Sequence, residues 1–141
     1  KVADEFGHDA GNRAALSAAI LLYQQKRYED ALNYLRKYSA NEEIIGASAL
    51  SLEGDCYVNL KKYDEALKSF QSAVKASDNN PHYTPFFLMK EATVQRELKN
   101  YKAEADLYAQ ILKDYPTYGD ENRLDIEKYL RRAELSAGET K

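Results

Sequence analysis

The sequence predicts an all-α protein in which three stacked helical hairpins form a right-handed solenoid, closed by a C-terminal capping helix. A tyrosine-anchored phrase occurs three times, at Tyr28, Tyr63 and Tyr101, and a period of about 34 residues is typical of stacked helical hairpins. Ala, Leu, Lys and Glu are abundant, while Pro and Gly number only three and six, which favours helix over sheet. Apolar residues around each anchor recur at helical spacing.

The chain has the size and composition of one globular domain. It has 141 residues, of which 44% are hydrophobic and 30% are charged, so a packed core is expected. The repeat phase divides this single domain into repeats at about 12–45, 47–80 and 85–118, and a capping helix at about 120–137.

The second repeat carries the clearest pattern. Its first helix is predicted over 41–60, with Asn41 as the N-cap, and its second helix over 63–77. Gly54 lies in the middle of the first helix, where glycine costs about 1 kcal/mol relative to alanine. We therefore expect a neighbouring helix to approach closely there. Ala66 is predicted at the narrow point of the hairpin, with Phe70 filling the space beside it.

The first and third repeats follow the same outline. In the third, Thr84 is predicted as the N-cap and Pro85 as the first helical residue, and Pro116 follows its second helix. The position equivalent to Ala66 holds Glu104 in the third repeat, and Ala105 comes one residue later. We therefore expect that hairpin to be adjusted or slightly splayed.

A seventh helix is predicted to begin near Asp120, after the segment "PTYG". Its apolar residues lie on one helical face and the remainder are mostly charged, as expected of a helix that seals the open end of a repeat array. Those apolar residues are Ile126, Tyr129, Leu130, Ala133 and Ala137.

These hairpins resemble the tetratricopeptide repeat (TPR) family over about residues 12–118. The family's small-small-aromatic pattern is met in the middle repeat at Gly54, Tyr57, Tyr63, Ala66, Phe70 and Ala73. The resemblance implies a scaffold fold that binds a protein or peptide, and it leaves the partner undefined because such folds serve many functions.

A narrower resemblance comes from the spacer "DNNPHYTPFFLMKEA" and the ending "DIEKYLRRAE". Together with the three repeats, they are similar to the periplasmic domain of membrane-anchored bacterial TPR proteins of the YfgM type. This resemblance implies a transmembrane helix before Lys1, a place on the periplasmic side of the cell envelope, and an accessory role near the secretion translocon and its chaperones. A cytoplasmic location is the alternative.

The resemblance also implies a concave peptide-binding groove lined by the first helix of each repeat. Carried over by spacing, the groove positions are Leu16, Ile20, Tyr23, Ser51, Asp55, Val58, Phe86, Met89, Thr93 and Arg96. The set is mostly apolar, and Leu16 and Ile20 replace the polar residues with which chaperone-binding TPR domains clamp a C-terminal carboxylate. Alternatively, residues 1–11, the capping helix or a second copy of the chain cover this face. In the last case the groove would be a homo-oligomer interface.

Catalytic, metal and cofactor sites are not predicted. His8 and His82 are expected in loops without a metal-ligand partner at suitable spacing, and Cys56 is expected to be a small buried hydrophobe. One cysteine allows no internal disulfide. The net charge of −3 argues against nucleic acid as a partner, and no apolar run approaches the roughly 18 residues of a membrane span. We expect a non-enzymatic protein without cofactors, with any membrane contact made only through an N-terminal anchor.

Overall fold

The computed structural model of the chain describes residues 7–38 and 46–139, which form eight α-helices and no strand. The predicted all-α helical-repeat class is therefore confirmed. The chain divides into two compact units, Lys1–Ala76 and Ser77–Lys141. The predicted N-cap Asn41 lies outside the described residues.

The first unit contains two helical hairpins. Its helices are α1 (Gly7–Gln24), α2 (Tyr28–Tyr38), α3 (Gly46–Asn59) and α4 (Tyr63–Ala76). Helix α2 also packs on α3, which joins the two hairpins through a shared core. The buried residues of that core are Ala19, Ala31, Leu32, Leu35, Ala49 and Cys56.

Gly54 makes the close helix approach that its sequence position predicts. A Cβ atom placed on this residue would lie 2.5 Å from Cε1 of Phe70, which is far inside van der Waals contact. Phe70 is itself buried, so its ring occupies the space that the glycine leaves. Ala66 is fully buried in the same hairpin, as predicted for the narrow point.

The three hairpin turns share one backbone conformation. Lys26, Lys61 and Lys99 each stand two residues before an anchoring tyrosine, and their φ angles are 63°, 59° and 62°. In the second turn, the amide of Lys62 donates to the carbonyl of Tyr57 at 2.8 Å, the six-to-one bond of a Schellman helix end. A residue other than glycine is strained by about 1–2 kcal/mol in this left-handed region.

Replacing Lys61 by glycine is therefore expected to stabilise the protein. We predict that Lys61→Gly raises the free energy of unfolding by about 0.5–1 kcal/mol, because glycine adopts a positive φ without steric strain. Thermal and urea unfolding would measure it. Lys68→Gly is the matched control, since Lys68 is exposed inside α4 and glycine there should lower stability by about 1 kcal/mol. Equal destabilisation by both variants would contradict the prediction.

The second unit contains α5 (Tyr83–Glu97), α6 (Tyr101–Asp114), the short α7 (Tyr118–Glu121) and α8 (Ile126–Glu139). Helix α6 packs against both α5 and α8. Helix α8 thus lies on the second helix of the third repeat, and its residues Ile126 and Ala133 are buried.

The third repeat begins earlier than predicted, so the predictions of Thr84 as its N-cap and of Pro85 as its first helical residue are wrong. The side-chain oxygen of Asn80 accepts hydrogen bonds from the amides of His82 and Tyr83 at 2.9 and 3.0 Å. Its carbonyl accepts from the amide of Thr84. Asn80 therefore caps the helix, while Thr84 is buried and its hydroxyl lies 2.7 Å from that of Ser77.

The predicted single helix from Asp120 is divided into α7 and α8. Arg123, between them, has a φ of 56°, and the amide of Leu124 returns to donate to the carbonyl of Gly119 at 2.8 Å. Helix α8 then starts beside Asp125, whose carboxylate accepts from the amide of Lys128. This extra helix raises the count from the predicted seven to eight in the described residues.

Helix α1 is longer at its start than the sequence indicated. It begins at Gly7, so His8 lies in a helix and the prediction of a loop there is wrong. Of residues 1–11, which the sequence offered as a possible cover for the groove, residues 7–11 belong to α1, and residues 1–6 lie outside the described residues.

Candidate protein-binding site

Three predicted groove residues lie on α1, and they differ in exposure. Ile20 is 41% exposed. Leu16 and Tyr23 are half-buried and pack against the core of the first unit. Only Ile20 of the three presents a large apolar surface to solvent, so Leu16 and Tyr23 have a packing role beside any binding role.

Tyr23 is held by several neighbours. Its hydroxyl accepts a hydrogen bond from the side-chain amide of Asn59 at 3.1 Å, and its ring meets the edge of Tyr28 with centroids 5.4 Å apart. Burial raises the pKa of Tyr23, and the negative charge of Asp55 raises it further. These contacts were not predicted from the sequence. Because Tyr23→Ala removes native packing as well as a possible partner contact, it is a poor probe of binding.

The predicted groove residues of α3 are less accessible than expected. Ser51 is buried, with 6% of its surface exposed, and such a side chain offers almost no area to a partner. Asp55 and Val58 are half-buried. In the first unit, Ile20 is therefore the strongest candidate for partner contact among the predicted positions.

Helix α5 presents the most exposed aromatic surface of the second unit. Phe86 is 43% exposed, and the ammonium of Lys90 lies 5.1 Å from the centre of its ring. Met89 is half-buried and Thr93 is exposed. The hydroxyl of Thr93 donates to the carbonyl of Met89 at 3.0 Å, a bond within its own helix.

Tyr83 extends this aromatic surface, although the predicted site did not include it. It is 51% exposed, and its ring stacks on Phe87 with centroids 6.3 Å apart. Tyr83 precedes Phe86 by three residues, so both fall on neighbouring faces of α5. The spacing of Tyr83 and Phe86 within "YTPFF" could have predicted that both belong to this surface. The prediction of Thr84 as the N-cap placed Tyr83 outside the helix and so excluded it.

Arg96 is engaged in an ion pair and does not stand alone in the groove. Its guanidinium lies 3.0 Å from a carboxylate oxygen of Glu104 and 5.2 Å from the ring centre of Tyr101. The side chain of Arg96 is 32% exposed. Its main contacts are thus with α6, so it contributes to hairpin packing as well as to the predicted face.

Glu104 is the centre of a buried polar cluster that also includes Arg96, Tyr108 and Arg132. Its side chain is fully buried, and the guanidinium of Arg132 on α8 lies 3.6 Å away. The hydroxyl of Tyr108 donates to the same carboxylate at 3.2 Å. Burial raises the pKa of Tyr108 to about 12, and the charge of Glu104 acts in the same direction. The charged residue at the narrow point is therefore accommodated by two arginines and a tyrosine.

Groups that could perform chemistry are few in the described part of the chain. Cys56 is fully buried, and burial raises the pKa of its thiol to about 12, which leaves it protonated and unreactive at neutral pH. His82 is exposed and its ring meets that of Tyr83. No group of three or more potential metal ligands occurs within 7–38 and 46–139.

None of the described helices, α1 to α8, combines the length and the apolar character that crossing a membrane requires.

Comparison with known families identifies the repeats. A family model described as "Tetratricopeptide repeat" matches residues 16–81, and a second model of the same description matches residues 87–118. Together they cover more than two thirds of the 141 residues. The first matched segment runs from the middle of α1 through α2, α3 and α4, and the second spans most of α5 and all of α6. Among curated proteins, a search finds no significant match.

Proposed function

We propose that this chain, a member of the tetratricopeptide repeat family, is a non-enzymatic scaffold that holds a protein partner or an apolar peptide segment. The partner contacts the first helices of the repeats, where the predicted groove residues lie. Proteins of this fold present surfaces for other proteins, and the fold itself specifies no reaction. The proposal extends this general property to the particular side chains of α1 and α5.

The exposure of Phe86 is the observation that carries the proposal. Single exposed apolar side chains are common on folded proteins, whereas exposed apolar side chains that form a contiguous patch mark interaction sites. Phe86 is 43% exposed beside the 51% exposed Tyr83, and the ring of Phe86 has a cation against it, Lys90. A partner segment can bury both rings, so aromatic or aliphatic side chains are the contacts expected on its side.

Phe86→Ala is predicted to weaken binding without unfolding the protein. We expect a loss of about 1–2 kcal/mol, because aromatic anchors contribute much of the energy of a protein interface. Peptides selected from a random displayed library against the purified protein would supply ligands, and titration calorimetry would compare the variants. Lys68→Ala is the control, since Lys68 is exposed on α4, a second helix of its hairpin.

Two results would contradict this prediction. One is equal affinity of a selected peptide for the parent protein and for Phe86→Ala. The other is a fall in melting temperature for Phe86→Ala as large as that for Tyr23→Ala, which would give Phe86 a packing role instead. Tyr23→Ala is expected to destabilise the first unit because it removes the contacts with Asn59 and Tyr28.

The second candidate is a structural module whose groove is its own homo-oligomer interface. The exposed Ile20 and Phe86 support this candidate equally, because either a peptide or a second copy can cover apolar groups. Light scattering combined with peptide titration separates the two candidates. An oligomer that dissociates when peptide binds would favour self-association through the groove.

We further propose a location on the periplasmic side of a bacterial cell envelope, as an anchored accessory of secretion or of periplasmic chaperones. The support is the resemblance of residues 78–92, which extend into α5, and of residues 125–134, which include most of α8, to YfgM-type proteins. Fractionation of cells that produce the full-length protein would test it, with separate membrane, periplasmic and cytoplasmic markers. Recovery with the cytoplasmic marker alone would overturn the proposed location.

A further inference from the structure

The first two repeats can be compared residue by residue because their anchors, Tyr28 and Tyr63, are 35 positions apart. In α3, three residues form the face that receives α2. Ala49 and Cys56 are buried in the cluster that contains Leu32 and Leu35 of α2, and Leu52 packs against that cluster. The preceding hairpin therefore covers this face of the second hairpin.

The equivalent face of the first hairpin is exposed. Its α1 residues, 35 positions earlier, are Ala14, Ser17 and Leu21, and all three are exposed. Leu21 is 57% exposed, whereas its equivalent Cys56 is fully buried. We call the surface formed by Ala14, Ser17, Leu21 and the α2 residue Tyr34 the end face.

Tyr34 shows the same contrast between repeats. It is 44% exposed, while its equivalent in the second repeat, Ser69, is 4% exposed. Leu21 and Tyr34 line a surface groove of about 560 Å³ together with Ala18 and Leu22. Leu21 and Tyr34 are thus large apolar side chains exposed at positions that are buried in the second repeat, and polar side chains such as Gln25 and Asn33 line the groove beside them.

We propose that the end face is a homodimer interface in which two copies of this chain meet face to face about a twofold axis. A twofold contact uses the same patch on both copies and closes at the dimer. This proposal is independent of the peptide-binding function, because the end-face residues differ from the predicted groove positions Leu16 and Ile20 on the same helix.

The charges at the rim of the groove favour a second copy. Arg27 and Asp30 line it and form an ion pair at 2.8 Å. Each copy therefore carries one cation and one anion at the rim, and a twofold rotation can set Arg27 of one copy against Asp30 of the other. Self-contact consequently brings together no excess of like charge.

Two other surfaces of a folded copy, those of α2 and α8, fit the end face less well. The helix that covers the equivalent face in the second repeat is α2, but its residues Leu32 and Leu35 are already buried by α3. The exposed residues of α8 are mostly charged, including Glu127, Lys128 and Arg131. A head-to-tail contact with α8 would therefore bury charges against Leu21 and Tyr34, which is unfavourable.

Sedimentation equilibrium from about 1 µM to about 1 mM protein tests the proposal, because a small interface gives a weak dimer. The parent chain should show a monomer–dimer equilibrium within this range. Leu21→Glu should raise the dissociation constant at least about tenfold, since it places two carboxylates against each other across the axis. Leu135→Glu is the control, because Leu135 is 68% exposed on α8 outside the interface.

Covalent trapping gives a second measurement on the same face. Cys56 is the single cysteine and is buried, so Leu21→Cys introduces the accessible thiol. A short bifunctional maleimide should join Leu21→Cys into a dimer and leave Leu135→Cys monomeric. Phe86→Ala should change neither result, which separates this interface from one made through the groove.

Several outcomes would overturn the proposal. A parent chain that stays monomeric throughout the concentration range is one. A dimer whose dissociation constant is the same in Leu21→Glu is another, because it would place the interface elsewhere. Equal trapping of Leu21→Cys and Leu135→Cys would show collision and not a specific contact. Circular dichroism of each variant checks that the exposed substitutions leave the helices intact.

Discussion

Arg96→Met is expected to lower the free energy of unfolding by about 3 kcal/mol, because it removes the closest cation from a carboxylate that has no access to water. Glu104 is fully buried, and its nearer oxygen lies 3.0 Å from Arg96. Leaving a buried charge without its partner is strongly destabilising. Arg132 remains at 3.6 Å and keeps the loss at the lower end of the range for buried pairs.

Glu104→Met is expected to have a smaller effect, about 1.5 kcal/mol or less, although it breaks the same ion pair. Methionine has a similar volume, and volume-conserving apolar replacements are tolerated well. The arginines left behind can turn to solvent, since the side chains of Arg96 and Arg132 are 32% and 51% exposed. The two variants differ in their expected loss of stability because the carboxylate of Glu104 is buried, whereas the arginines are partly exposed.

The double variant Arg96→Met/Glu104→Met completes a cycle that isolates this interaction. It should be more stable than Arg96→Met alone, because the second change removes the stranded charge. Urea unfolding of all four proteins at neutral pH would give the four free energies. If Glu104→Met proved as harmful as Arg96→Met, the cost would lie in lost packing or in the bond from Tyr108 and not in an uncompensated carboxylate.

The cluster at Glu104 shows where sequence reasoning succeeded and where it stopped. The repeat phase located the anomaly, since positions 31 and 66 hold alanine and position 104 holds a carboxylate. The repeat phase could not predict which side chains pair with Glu104, because Arg132 is 28 residues away and belongs to a helix outside the repeat. Side chains that meet only through tertiary packing leave no local pattern.

The hairpins were predictable because their determinants are local. The anchoring tyrosines begin α2, α4 and α6 at the predicted residues, and the glycine at position 54 signalled the approach of Phe70. Helix starts that depend on a side chain several residues upstream were predicted less well. Asn80 caps α5 from within a turn, and the sequence offered Thr84 and Pro85 as a competing signal.

The candidate site was the least predictable part, because exposure depends on neighbours that spacing alone does not reveal. Family spacing placed Ser51 and Phe86 in the same class, yet Ser51 is 6% exposed and Phe86 is 43% exposed. Spacing also marked Tyr23 as a binding residue, although a hydrogen bond from Asn59 holds it. Once burial is known, comparing equivalent positions between repeats, such as Leu21 and Cys56, shows which positions are exposed in one repeat although they are covered in another.

Deletion of residues 125–141 is expected to have the largest effect, on the order of 5 kcal/mol. It removes α8, whose Ile126 is 2% exposed and whose Tyr129 and Leu130 are half-buried. Burying one large apolar side chain contributes about 1.5–3 kcal/mol, so one full and two partial burials account for most of the estimate. The deletion also removes Arg132 from Glu104 and uncovers Tyr108, which lies 5.8 Å from Tyr129 between ring centres.

The deletion tests whether α8 seals the third repeat, because a terminal repeat needs a polar outer surface to stay soluble. The truncated chain should melt at a lower temperature, and the newly exposed face of α6 should bind a hydrophobic dye. A synthetic peptide of residues 125–139 should restore the melting temperature, whereas the same peptide carrying Ile126→Asp should not. Lys128→Ala in the full chain is the matched control, since Lys128 is exposed on α8. A truncated chain with the melting temperature of the parent would mean that α8 rests on α6 without stabilising it, and the Glu104 cluster would then depend on Arg96 alone.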